Sequence, residues 1–125
     1  MAEGITILLV EDYEDIRALL SVVLESAGYS VIAVETPRRA LELLDTYSVD
    51  ALITDYNLPE MTGLKLIKAV REQHPELRMM LISGQSCLEA LAKSSDVRYW
   101  FRKGEPVEQF QRIVTAMLDG TLRSK

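Results

Sequence analysis

A rhythm constrains the fold of this chain more than any other feature: a short apolar run followed by an amphipathic stretch, repeated five times. The runs are Ile5–Val10, Val31–Val34, Ala51–Thr54, Met79–Ile82 and Val97–Phe101. Several are apolar at successive positions instead of alternating, as strands covered on both faces require. Between them the spacing turns helical. Ile16, Leu19, Leu20, Val23, Leu24 and Ala27 follow helical spacing, and Gly28 stands where a left-handed turn would end that helix. Thr36-Pro37 reads as an N-cap with proline at the first helical position, placing Ala40, Leu41 and Leu44 inward. Gly63 opens a third helix with Leu64, Ile67 and Val70 inward, stopping before Pro75, which disfavours helix at His74. Leu88, Leu91 and Ala92 mark a short fourth helix. Val107, Phe110, Val114 and Met117 mark a fifth, entered through Pro106.

Strands alternating with helices over short connections form βαβ units, and these build a parallel sheet with helices on both faces. The expected class is α/β: a (βα)5 doubly wound, flavodoxin-like domain whose five parallel strands run in the order 2-1-3-4-5. The 125 residues make a single domain, 1–125, with a core from about 5 to 118 and a loose tail over 120–125. With 14 Lys plus Arg against 19 Asp plus Glu, the net charge is −5, a poor basis for gripping phosphate backbones. Cys87 alone excludes an internal disulfide, and His74 alone excludes sites built on two imidazoles. Ile7–Val10 is far too short to span a membrane and no leader opens the chain, so the expected setting is cytoplasmic.

In an open parallel sheet, ligands gather beyond the C-terminal ends of the strands. Those ends carry Glu11 and Asp12 after the first run, Asp55 after the third, Ser83 after the fourth and Lys103 after the fifth. Three carboxylates brought together repel, and at least one pKa should rise unless a cation sits among them. Oxygen ligands with no His or Cys nearby select Mg²⁺ or a close relative such as Mn²⁺. A carboxylate beside such a metal can attack phosphorus and form an acyl phosphate. The metal, the Lys103 ammonium and the Ser83 hydroxyl would then hold the phosphoryl oxygens, which is catalysis by positioning and charge. Taken singly, Asp12 reads equally well as a helix N-cap. Taken jointly, the five residues favour phosphoryl chemistry.

At these residues the chain resembles the response-regulator receiver domain of two-component signalling, from Ile5 to about Leu118. The resemblance is carried by Leu8-Leu9-Val10-Glu11-Asp12, by the Asp55-x-x-x-Pro59-x-x-x-Gly63 loop, by Ser83-Gly84 and by Lys103. It implies Asp55 as phosphoacceptor, Asp12 as a direct metal ligand and Glu11 as one acting mostly through metal-bound water. It further implies that the Asn57 backbone carbonyl completes the metal site. Ser83 would bind the phosphoryl group with Lys103 as its cationic partner, and Asn57 and Gln85 would tune phosphoryl lifetime. Trp100 matches an aromatic that changes rotamer on activation. The implied donor is a sensor histidine kinase or phosphotransfer protein. The implied output is a protein partner, reached through the face of the fourth helix, fifth strand and fifth helix. Neither nucleic acid nor membrane is implied as a direct partner, and homodimerisation stays open. On this reading the domain catalyses its own phosphorylation and slow dephosphorylation, a switch more than a turnover enzyme, with no output domain attached.

Two features depart from the family pattern. The family usually carries proline directly after the lysine, whereas Gly104-Glu105-Pro106 follows Lys103; and Ser83 to Trp100 is a little short and lacks the usual Gly-Ala. Strand alternation places Val97, Tyr99 and Phe101 on one face and Arg98, Trp100 and Arg102 on the other, which suits a half-exposed switch at Trp100. The plainer alternative is an edge tryptophan that packs and never moves. His74 reads as a surface helix terminator and Cys87 as a small buried or half-buried side chain. Arg38, Arg39, Lys65 and Lys68 read as solvated helix faces, and the five methionines as core filler.

Three other functions share parts of this pattern. A flavin or nucleotide binder needs a small-residue phosphate loop after the first strand, and Glu11-Asp12-Tyr13-Glu14-Asp15 would repel phosphate. An aspartyl-nucleophile phosphatase wants Asp-x-Asp there and finds Asp12-Tyr13-Glu14. A degenerate receiver, acting as a phosphorylation-independent interaction module, is the remaining alternative, against which the intact five-residue set argues.

Overall fold

The structure is a computed structural model that describes residues 4–120. Its elements follow the predicted rhythm. They are β1 (Thr6–Val10), α1 (Glu14–Ser26), β2 (Ser30–Val34), α2 (Pro37–Thr46), β3 (Ala51–Asp55), α3 (Gly63–Gln73), β4 (Arg78–Ser83), α4 (Leu88–Ser94), β5 (Tyr99–Arg102) and α5 (Val107–Asp119). The five strands pair in parallel in the order β2-β1-β3-β4-β5. The expected α/β topology therefore holds.

The unbroken apolar runs have a simple cause. Successive side chains on a strand point to opposite faces, and here both faces are covered. Ile7 and Leu9 of β1 join Ile53, Met80, Ile82 and Phe101 under α1 and α5, where Leu24, Phe110 and Val114 pack. Leu8 and Val10 join Leu52 and Leu81 under α2, α3 and α4, where Leu44, Ile67 and Ala92 pack. The Phe101 and Phe110 rings meet edge to face at 5.2 Å. Truncating one of these buried Leu, Ile, Met or Phe side chains to alanine would cost about 2–5 kcal/mol.

Local signals act as read. The Thr36 hydroxyl accepts from the Arg39 N–H with Pro37 at the first position of α2, and Thr62 caps α3 the same way through Lys65. Gly28, at φ +97°, turns the chain out of α1. Arg71 near the end of α3 donates to the carbonyls of Ser95 (3.3 Å) and Asp96 (3.1 Å), fastening the loop that follows α4. His74 does end α3, its N–H donating to Val70.

Several expectations fail. Leu19 is 52% exposed: one helical face cannot hold it together with Leu20 and Leu24, which take the core. Ala27 lies one residue past α1 and is exposed. Cys87 is exposed and not buried, because it precedes the first turn of α4 while Leu88 takes the inward position. Val97 does not share a face with Tyr99 and Phe101. The strand begins only at Tyr99, so Val97 sits in the loop and packs with Ala92 on the opposite side of the sheet. Gly120 belongs to the end of α5, at φ +76°, and the rest of the expected tail, 121–125, lies outside the described residues. Met79, Met80 and Met117 are buried as core filler, while Met61 packs half-buried and Met1 lies outside the described residues. Among the described residues no helix is long and apolar enough to cross a membrane.

Candidate functional site

Parallel strands place all their C-terminal ends at one edge of the sheet, and the predicted residues meet there. Asp55 and Ser83 are the last residues of β3 and β4, not the first beyond them, so the sheet itself fixes their backbones. Tyr56 N–H donates to Ile82 O at 2.8 Å, and Lys103 N–H to Ser83 O at 2.8 Å, which extends the ladder past the strand ends. Glu11 is held from two sides, its own N–H on Val34 O (3.0 Å) and its carbonyl on the Arg17 guanidinium (2.9 Å).

Gly63 is needed for a close approach. A Cβ there would lie 2.1 Å from the Asp55 carbonyl oxygen, so only glycine lets α3 begin against the residue that ends β3. The sequence marks Gly63 as a helix start and as the end of the Asp55 loop; the steric reason is visible only in three dimensions.

One carboxylate oxygen each from Glu11, Asp12 and Asp55 fall within 4.8 Å of one another. Glu11 and Asp55 are buried, while Asp12 is exposed and opens the cluster to solvent. Asp12 is not the N-cap of α1; Tyr13 occupies that position. Lys103 reaches between the buried pair, Nζ 2.9 Å from Glu11 Oε1 and 3.0 Å from Asp55 Oδ2. The contact to Asp55 is a hydrogen bond, whereas that to Glu11 is an ion pair without hydrogen-bond alignment. Burial pushes the Glu11 carboxyl above its ordinary value and the Asp55 charge adds to this, against the pull of Lys103 and the Tyr13 N–H. For Lys103, burial works against the charge, but the close contacts with Glu11 and Asp55 and their negative charges outweigh it and raise the pKa. The ammonium therefore stays protonated.

Three carboxylates against one ammonium leave a local excess of two negative charges. Asp55 Oδ1 is buried and has no partner. An all-oxygen donor set with an orphaned buried oxygen and a solvent-facing third carboxylate fits a hard divalent cation.

Ser83 is fully buried, its Oγ accepting from the Gln85 N–H at 3.1 Å. The Gln85 side chain in turn accepts from Cys87 Sγ at 3.6 Å. Asn57 lies exposed two residues beyond Asp55. Trp100 pairs in register with Leu81, is half-buried against the face of α2, α3 and α4, and borders a cleft of about 170 Å³ with Ser86, Leu88, Glu89, Arg102 and Glu105. The bond after Lys103 is trans, and Gly104 takes φ +98°. Sequence reading missed Tyr13. Its ring centroid lies 5.7 Å from Lys103 Nζ and its N–H donates to Glu11 Oε2 at 3.1 Å. An aromatic directly after an acidic pair at a strand end was the available signal. A cleft of about 410 Å³ between Arg71, Arg78 and Arg98 lies at the opposite edge of the sheet and contains none of these residues.

The family model described as "Response regulator receiver domain" matches residues 7–100. The chain is 39% identical over 90 residues to the response regulator receiver protein CpdR of Brucella abortus, covering 72% of this chain and 74% of that protein. It is 40% identical over 83 residues to the two-component response regulator ORR5 of Oryza sativa subsp. japonica, covering 64% of this chain and 62% of the rice protein, less than two thirds of its length. Among solved structures, a response regulator receiver protein from Sinorhizobium medicae superposes with a TM-score of 0.83 at 27% identity, over 95% of this chain and 98% of its own.

Proposed function

This chain belongs to the family of response regulator receiver domains, and from that premise we propose that Asp55 accepts a phosphoryl group from a phosphohistidine. Receiver domains are signalling phosphoacceptors of two-component systems, not turnover enzymes in the ordinary sense. The donor is a sensor histidine kinase or a phosphotransfer protein, in a cytoplasmic setting. Glu11, Asp12, Asp55 and the backbone carbonyl of Asn57 would hold Mg²⁺ or Mn²⁺. When bound, that ion supplies neutralising charge for the phosphoryl oxygens and the attacking carboxylate.

The observation that supports this most is the Asp55 carboxylate itself. It is buried at a strand end with Oδ2 on Lys103 and Oδ1 unpartnered. In the transfer, an Asp55 oxygen forms a bond to phosphorus as the phosphorus–nitrogen bond of the donor breaks, its electron pair leaving with the imidazole. Lys103 stays charged beside the transferred group, and the Ser83 hydroxyl hydrogen is directed at a phosphoryl oxygen. Water later attacks the same phosphorus slowly, breaking its bond to the Asp55 oxygen so that the carboxylate is regenerated and inorganic phosphate leaves, with Asn57 and Gln85 flanking the path.

Filling of the cleft beside Trp100, once Ser83 turns toward the phosphoryl group, is the packing change that would report on phosphorylation at the α4, β5 and α5 face. The readout is binding of a protein partner there.

The test is incubation with Mg²⁺ and acetyl phosphate, followed by intact mass. Wild type should gain one phosphate per chain, EDTA should prevent it, and Asp55→Ala should gain none. A wild type that stays unmodified, or an Asp55→Ala variant that gains phosphate, overturns the assignment.

A further inference from the structure

We propose that Tyr13 is a positioning residue for Lys103, its ring face holding the ammonium beside Asp55; this rests on the reading of Asp55 as phosphoacceptor. Three observations carry it. The first is that nothing else about Tyr13 accounts for an aromatic there. It is 65% exposed, belongs to neither core cluster, and stands at the N-cap of α1 without a side-chain capping bond.

The second is contact with both ends of one ion pair. The ring centroid lies 5.7 Å from Lys103 Nζ, while the Tyr13 N–H holds Glu11 Oε2 at 3.1 Å. That distance is within the reach of a cation–π interaction. The third concerns Lys103. Its backbone is pinned to Ser83 at 2.8 Å, but Gly104 at φ +98° and Glu105 follow, both exposed, so the loop gives the ammonium no further guidance. At the end of a flexible four-carbon stem, its place is set by Glu11 and Asp55 on the buried side and by the Tyr13 ring on the solvent side. Phosphorylation changes the charge on Asp55. The ring is neutral and keeps its hold through that change.

The experiment compares Tyr13→Leu and Tyr13→Phe in phosphorylation by acetyl phosphate with Mg²⁺. Tyr13→Leu should slow the reaction about two- to five-fold. Tyr13→Phe, which keeps the ring face, should react as wild type. In a Lys103→Ala background Tyr13→Leu should have no further effect, since coupled residues do not add. A second readout needs no phosphoryl chemistry: the Lys103 side-chain methylene resonances should lose their ring-current shift in Tyr13→Leu and keep it in Tyr13→Phe. Equal rates, an equal loss without Lys103, or unmoved Lys103 resonances would each overturn the proposal. A wild type that takes no phosphate defeats the phosphoacceptor reading instead, and the resonances still decide the Tyr13 contact.

Discussion

The middle and the far edge of the sheet are built to different standards. All five residues of β3 are buried, α3 follows with a side-chain cap at Thr62, and Gly63 packs directly against the Asp55 carbonyl. Between β4 and β5 the chain is looser: α4 has seven residues and no side-chain cap, Cys87 is exposed before it, and Trp100 is half-buried beside open space. The Asp55 carboxylate sits on the rigid part, and Trp100 on the looser one. Sites that need precision are drawn from high-stability elements and moving parts from low-stability ones.

That contrast can be broken most forcefully at two glycines. Gly63→Ala should destabilise the fold by about 3 kcal/mol in urea unfolding, because its methyl group meets backbone that cannot retreat. Gly84→Ala, at the start of the looser segment with nothing within 4 Å, should change stability by less than about 0.5 kcal/mol. Equal costs at the two positions would erase the distinction.

Hydrogen exchange sharpens it further. Amides of α4 should exchange at least about 30-fold faster than those of β3, corresponding to about 2 kcal/mol between local opening and unfolding of the centre. Similar protection in both would mean that α4 unfolds only with the whole domain.

The smallest effect concerns pH. In the metal-free protein the Glu11 pKa is raised, first by burial, so the folded state binds this proton more tightly than the unfolded chain does. That contribution to stability is complete below the ordinary glutamate pKa and is lost as pH rises through the raised folded value. Glu11→Gln should therefore flatten the dependence of Tm on pH across that window, and Mg²⁺ should bind less well at its acid end. A parallel pair of Tm–pH curves would show that Lys103 already compensates Glu11 fully.

Much of the rigid part was legible in the sequence, since its signals are local. Thr36-Pro37, the unbroken apolar runs and the acidic residues at their ends each state a backbone or burial requirement within a few positions. Strand order followed as one of the common orders of doubly wound sheets. What stayed hidden depends on distances between remote residues. Lys103 entering between Glu11 and Asp55, Tyr13 lying over it and the Gly63 approach to Asp55 are such cases. In the looser part the local signals themselves were ambiguous. Val97 looked like strand because apolar spacing ran through it, yet the chain reaches strand geometry only at Tyr99.

Arg71 adds a mechanical consequence. Its guanidinium grips the carbonyls of Ser95 and Asp96, at the rear of the α4 segment and on the side of the sheet away from Asp55. At the front, the Ser83 hydroxyl holds the Gln85 N–H through a single bond. Held behind by Arg71 and in front by Ser83, this segment stays docked although its helix has only seven residues and no side-chain cap.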